Sequence, residues 1–182
     1  MAGVKWFSHD WHMGQLSDTQ TEEVQRDYAA HEQRLRPVVP AGVLDLLDLS
    51  VHDAQVQSVL LGEGQFTWRL LVGDLQRGYE FATLTYFDAE VVGGADDLAA
   101  LDLSPEGAEL LYDELDLVAD GRFIHRVLVW PEGEVWIRFT DLRLELTPAD
   151  PSDRYQGTGR GTGRRRPAEV VRSLLQSTFR RV

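Results

Sequence analysis

The chain has 182 residues and a hydrophobic share of 43%, enough for one folded domain with its own core and no need of a second. It contains no cysteine, which excludes disulfides, thiolate metal sites and a cysteine nucleophile; it also lacks an apolar run of signal or membrane-span length, so a cytoplasmic protein is expected. The formal charge of −12 is unevenly spread: residues 1–150 hold 28 acids and 10 bases, a net −18, whereas residues 151–182 hold 2 acids and 8 bases, a net +6. An acidic body repels nucleic acid and anionic membrane at long range, which confines any phosphate-binding role to the tail.

Val4-Lys5-Trp6-Phe7 reads as a short strand or an extended lead, and Ser8 as the N-cap of a helical turn reaching Met13. Ser17 or Thr19 starts a longer helix, Asp18 to about Leu35. Its acids Glu22 and Glu23 sit early and Arg34 and Arg36 late, as the helix dipole favours. Pro37 and Pro40 stop it, and Ala41 to Leu49 forms a compact apolar helix before the first strand.

The stretch Ser50 to Leu61 opens the sheet, with His52, Ala54, Val56, Ser58 and Leu60 alternating onto one face. Gly62-Glu63-Gly64 predicts a hairpin with a three- to four-residue loop, followed by Phe66, Trp68, Leu70 and Val72 at the same period. Tyr79 to Val92 has two competing apolar faces, the pattern of a central strand covered on both sides. Leu98 to Leu103 reads as a connector. Leu111 to Val118, Phe123 to Val129 and Val135 to Phe139 alternate as further strands around Asp120-Gly121 and Pro131-Glu132-Gly133 turns. The apolar phase then slips by one residue near Thr140-Asp141, which predicts a β-bulge and a bend.

The expected fold is therefore α+β: N-terminal helices (8–49) packed on a curved antiparallel meander of five to six strands (51–147), together forming the domain 1–147. Residues 148–166, with Gly-Thr-Gly-Arg repeats, read as a disordered linker. Pro167 to Arg181 reads as a short amphipathic basic helix with Val171, Leu174, Leu175 and Phe179 on one stripe.

His52-Asp53 has the residue types of the metal pair in HD phosphohydrolases, but at the head of a strand adjacent residues point to opposite faces and both cannot easily reach one ion. The plainer reading is a hydrogen-bonded histidine with Asp53 capping a turn. His9 and His12 lack a partner pattern for metal, and His125, between Phe123 and Val127, fits a satisfied core or edge histidine. Asp113, Glu114 and Asp116 with Asp88 and Glu90 offer the acids of a glycosidase or calcium cleft; an exposed acidic face accounts for them more simply. There is no nucleophile elbow and no phosphate-binding glycine loop, since Gly157, Gly159, Gly161 and Gly163 lack the following Lys-Ser/Thr. No catalytic residue, metal or cofactor is assigned. The candidate polar site is His52, Asp53, His125, Asp88 and Tyr112, and the candidate tail contacts are Arg160, Arg164, Arg165 and Arg166.

Val4 to Trp11, the helix carrying Tyr28 and His31, Val51-His52-Asp53-Ala54, Tyr112-Asp113-Glu114 and Val135 to Asp141 together resemble a family of uncharacterised bacterial proteins over roughly residues 4–147. The His-Asp-Ala opening of a meander also resembles some immunity proteins of bacterial polymorphic-toxin systems. The resemblance implies an α+β protein without an assigned reaction and transfers no catalytic residue. The leading expectation is a non-enzymatic, immunity-like interaction protein whose acidic surface meets a basic partner. The alternatives are a small metal- or ligand-dependent enzyme centred on His52, Asp53 and His125, and nucleic-acid binding through the Arg/Gly tail. The tail is expected to dock on the acidic body of its own or a neighbouring chain, and homo-oligomer formation stays open.

Overall fold

The computed structural model describes residues 4–102, 107–131 and 133–154. Helix α1 (His9–His12) is capped by Ser8, whose side chain accepts the Trp11 N–H, and α2 (Asp18–Leu35) starts at a capping box between Ser17 and Gln20. Helix α3 (Ala41–Asp48) follows Pro40. The strands are β1 (Ala54–Gly62), β2 (Gln65–Asp74), β3 (Gly78–Phe87), β4 (Glu90–Gly93), β5 (Glu109–Leu117), β6 (Phe123–Trp130), β7 (Glu134–Phe139) and β8 (Asp141–Ala149), with α4 (Ala95–Ala100) before β5. The fold is α+β with an antiparallel sheet, as expected. The sheet has eight strands rather than five to six, in the order β4-β7-β6-β5-β1-β2-β3-β8.

That order forces the sheet to roll. β3 is seventh in it and β4 first, yet only Asp88 and Ala89 join them. Six strand spacings on a flat sheet would measure about 29 Å, whereas a link of that length reaches about 10 Å. β7 and β8, second and eighth in the order, are likewise six places apart and joined by Thr140 alone. The ends of the sheet therefore meet. β3 pairs with β8 and β4 with β7 in one register that carries across the gap, from Phe87 opposite Asp141 to Glu90 opposite Arg138.

This explains the strand count and corrects the expected bulge at Thr140-Asp141. No residue is inserted there; both strands break at the same level. Asp88 takes a positive φ of 48°, which aspartate tolerates, and Thr140 donates its N–H to the Phe87 carbonyl (3.0 Å) and its hydroxyl to Asp88 (2.8 Å). Both strands change phase together: Ala82, Leu84 and Tyr86 face the core before the corner and Ala89 and Val91 after it, just as Ile137 and Phe139 give way to Leu142 and Leu144. On the second face of β3, Tyr79 and Thr85 are buried and Phe81, Thr83 and Phe87 half-buried, with Phe81 lying under the Arg69 guanidinium at 4.4 Å.

Trp68, Tyr86, Phe66 and Phe139 are the largest side chains wholly inside. Helix α3 adds Val43 and Leu46 to this core and lies against β8, where Gly42 lets the helix backbone approach the Leu142 carbonyl. Residues 95–100 are helical and bury Leu98, so the connector expected from Leu98 to Leu103 begins as helix. The first hairpin turns on Glu63-Gly64, tighter than expected. Strand β8 and a 3₁₀ turn (Pro151–Arg154) occupy residues read as linker from 148 onward. The expected linker beyond Arg154 and the C-terminal helix lie outside the described residues.

A Cβ placed on Gly42 would sit 1.7 Å from the Leu142 oxygen. Alanine ordinarily favours a helix over glycine by about 1 kcal/mol, but here Gly42→Ala should lower stability by about 1–3 kcal/mol through overpacking. Urea denaturation monitored by tryptophan fluorescence reads the sign directly.

Candidate functional site

The candidate residues gather around β5, and a bulge decides which of them meet. Pairing with β6 shifts between Leu110 and Tyr112. Directly paired residues share a face, so after the bulge Asp113 and Leu115 join core Val127 and His125 inside. Tyr112, Glu114 and Asp116 point outward beside Leu128, Arg126 and Ile124.

The inner group is a chain of three. Tyr86 Oη lies 2.8 Å from His125 Nδ1, and His125 Nε2 lies 3.0 Å from Asp113 Oδ2. Complete burial, and then the Asp113 carboxylate, hold the Tyr86 hydroxyl well above its ordinary pKa. The Asp113 carboxylate only accepts, so His125 Nε2–H donates to it, and the protonated Tyr86 hydroxyl pairs with Nδ1. His125 is fully buried and Asp113 alone reaches solvent, with 26% of its side chain exposed. A general base must touch the proton it removes. The histidine here is closed off on both nitrogens, so the arrangement satisfies a buried imidazole in the core.

The outer group holds the N-terminal segment. Glu114, 0% exposed, accepts the backbone N–H groups of Lys5 (2.8 Å), Trp6 (2.5 Å) and Phe7 (2.7 Å). Residues 4–7 thus form a strap, with 5–7 gripped by this one carboxylate. Burial raises the Glu114 pKa more than these three donors and Arg126 lower it. Two residues on, Asp116 binds Lys5 Nζ and lies 3.5 Å from Arg126 and 3.6 Å from His31. Burial pushes its carboxyl up, but Lys5, Arg126 and His31 together hold it below the usual range. Over this polar layer run Trp6, Phe7 and Trp11 with Tyr28 of α2 and Tyr112, their ring centroids 4.6–5.6 Å apart. Glu114 and Asp116 are therefore not the exposed acidic face expected from sequence. Their alternation with Tyr112 on one strand face was the available sign of a covered surface.

His52 and Asp53 do not head the strand. They form a turn closed by the Ala54 N–H to the Val51 carbonyl (3.0 Å), with Asp53 at φ 59°. His52 Nδ1 donates to the Leu111 carbonyl (2.6 Å), the ring stacks on Tyr112 at 4.7 Å, and Nε2 lies 3.5 Å from Asp53 Oδ2. Burial and the Asp53 carboxylate raise the Tyr112 pKa. Thus His52, Asp53 and Tyr112 come together on the outside, half-exposed. His125 belongs to the opposite face of β5, and Asp88 makes its contacts at the β3–β4 corner. Arg160, Arg164, Arg165 and Arg166 lie outside the described residues.

Among the described residues no group of three or more His, Cys, Asp or Glu is placed to hold a metal ion, and no helix is long and apolar enough to cross a membrane. A groove of about 500 Å³ beside the strap is lined by His9, Asp97, Leu128, Glu134 and Trp136. Its acids are engaged already: Glu134 accepts the Val4 N–H and the Trp136 indole, and Asp97 accepts the Glu134 N–H. No family model matches the chain, and no curated protein or solved structure shows significant similarity to it.

Two substitutions separate the layers. Tyr86→Phe removes the hydrogen-bond partner of a buried histidine nitrogen and should cost about 1–3 kcal/mol, read as a lower denaturation midpoint with unchanged strap fluorescence. Because the folded Asp116 carboxyl titrates below its ordinary range, its stabilising effect is present above that range and is lost as the pH falls through the folded value. Asp116→Asn should then be less stable than the parent at neutral pH, and the gap should narrow below about pH 4; paired denaturation curves across pH measure it.

Proposed function

We propose that this protein is a non-enzymatic interaction protein, immunity-like, that meets a basic partner through its acidic outer surface. The observation that carries the reading is how its charges are disposed. Eight of the described cationic side chains (Lys5, Arg26, Arg36, Arg122, Arg126, Arg138, Arg143 and Arg154) lie within 4.0 Å of a carboxylate of the protein itself. Exposed Asp18, Glu22, Glu23, Asp45, Glu80 and Asp96 have no cation at that distance among the described residues. The body's cations are largely neutralised from within, and its surplus carboxylates face water.

A surface of this kind accelerates encounter with a cationic protein and repels acidic ones, and its association weakens as salt screens the field. The interior supports the same reading, because the buried histidine that could serve chemistry is saturated by Tyr86 and Asp113. A partner captured from native lysate at low salt, purified and titrated back, should be basic. Its affinity should fall steeply between about 0.05 and 0.5 M ionic strength, and Glu22→Gln with Glu23→Gln should weaken it further. A neutral or acidic partner, or an affinity indifferent to salt, would overturn the proposal.

A further inference from the structure

We infer that the C-terminal segment 155–182 folds back on its own chain and seats its apolar stripe in the groove between α3 and β8. The groove has a volume of about 390 Å³; Leu49, Leu144 and Leu146 line it and Asp45 and Asp48 stand on it as well. Leu146 is 45% exposed, an open leucine on the outermost strand of the order. Asp48 is already paired with Arg36 (2.8 Å), which leaves Asp45 as the open acid; an apolar trough with an open carboxylate beside it fits a segment that is apolar on one side and basic on the other.

The chain supplies such a segment. Val171, Leu174, Leu175 and Phe179 recur at the spacing of one helix face, among Arg172, Arg180 and Arg181. Residues 155–182 carry seven arginines and one acid, a net +6, against −18 for residues 1–154. The attachment point is well placed. Arg154 is fixed by its guanidinium to the Asp53 carbonyl (2.8 Å) and to Glu109 (3.1 Å). Asp53 follows groove residue Leu49 by four residues, so the two are within about 14 Å. The stretch 155–166 has a root-mean-square reach of about 20 Å if it behaves as a Gly-rich coil, which covers that distance and sets an effective concentration in the millimolar range. Countercharge and apolar surface are thus offered to the tail at a concentration that a free competitor must exceed.

This inference stands apart from the external partner, and its test reads the tail alone. The chain has no cysteine, so Ser177→Cys in the full-length protein carries a single nitroxide. In ¹⁵N-labelled protein the amides of Asp45, Asp48, Leu144 and Leu146 should lose most of their intensity, equally at all dilutions. Adding Leu174→Asp and Phe179→Asp should restore them without moving the rest of the body spectrum. In a mixture of ¹⁵N chain lacking the nitroxide with unlabelled chain carrying it, the same amides should stay sharp. Broadening elsewhere on the body, no broadening, or broadening only in the mixture would overturn the assignment, the last of these by showing a second copy as the host.

Discussion

Two very short links govern the molecule. Asp88-Ala89 and Thr140 each connect strands six places apart in the sheet order, and no flat sheet can satisfy both. Rolling the sheet brings the ends together and encloses Phe66, Trp68, Tyr86 and Phe139. The requirement is geometric before it is energetic: chain reach sets the curvature, and burial of the enclosed aromatics stabilises it. The matched phase change in both strands at the corner follows from it. A turn in one strand alone would leave the other's alternation pointing the wrong way.

Within the roll, β5 is the strand on which the two kinds of polar chemistry divide. Its bulge turns Asp113 inward to His125 and Tyr112, Glu114 and Asp116 outward to the strap. Buried polar groups are costly unless satisfied; His125, Glu114 and Asp116 find their partners within the chain, whereas Arg126 Nε and Trp11 Nε1 are buried without one. The outward layer is the more elaborate one, since it combines a carboxylate on three backbone donors, an acid shared by Lys5, Arg126 and His31, and an aromatic cover. Such chemistry fixes a segment in place.

Local signals made much of this legible in the sequence. The Ser8 and Ser17 caps, the proline stops around α3 and the two-residue periods of β2, β6 and β7 act within a few residues, and each element formed where they indicated. Features that depend on distant partners were misread or missed. Thr140-Asp141 shows the same parity slip whether a residue bulges or a whole ribbon folds over, and only the partner strand's simultaneous slip at Asp88 separates the two. His52 fell in a turn because Asp53 adopts a left-handed backbone that a run of alternating residues conceals. Glu114 and Asp116 read as surface acids because their partners, Lys5 to Phe7, lie more than a hundred positions away.

The grip of Glu114 on the strap has an evolutionary side. It engages main-chain N–H groups, which every residue but proline possesses, so the hold itself is blind to the identity of residues 5, 6 and 7. Their side chains are held separately, Lys5 by Asp116 and Trp6 and Phe7 by the rings of Tyr28 and Tyr112, and proline is the one replacement the backbone grip itself would veto. A single acidic position inside β5 thereby fixes the backbone course of the strap, and the choice of side chains on it is set by the aromatic and ionic contacts it makes.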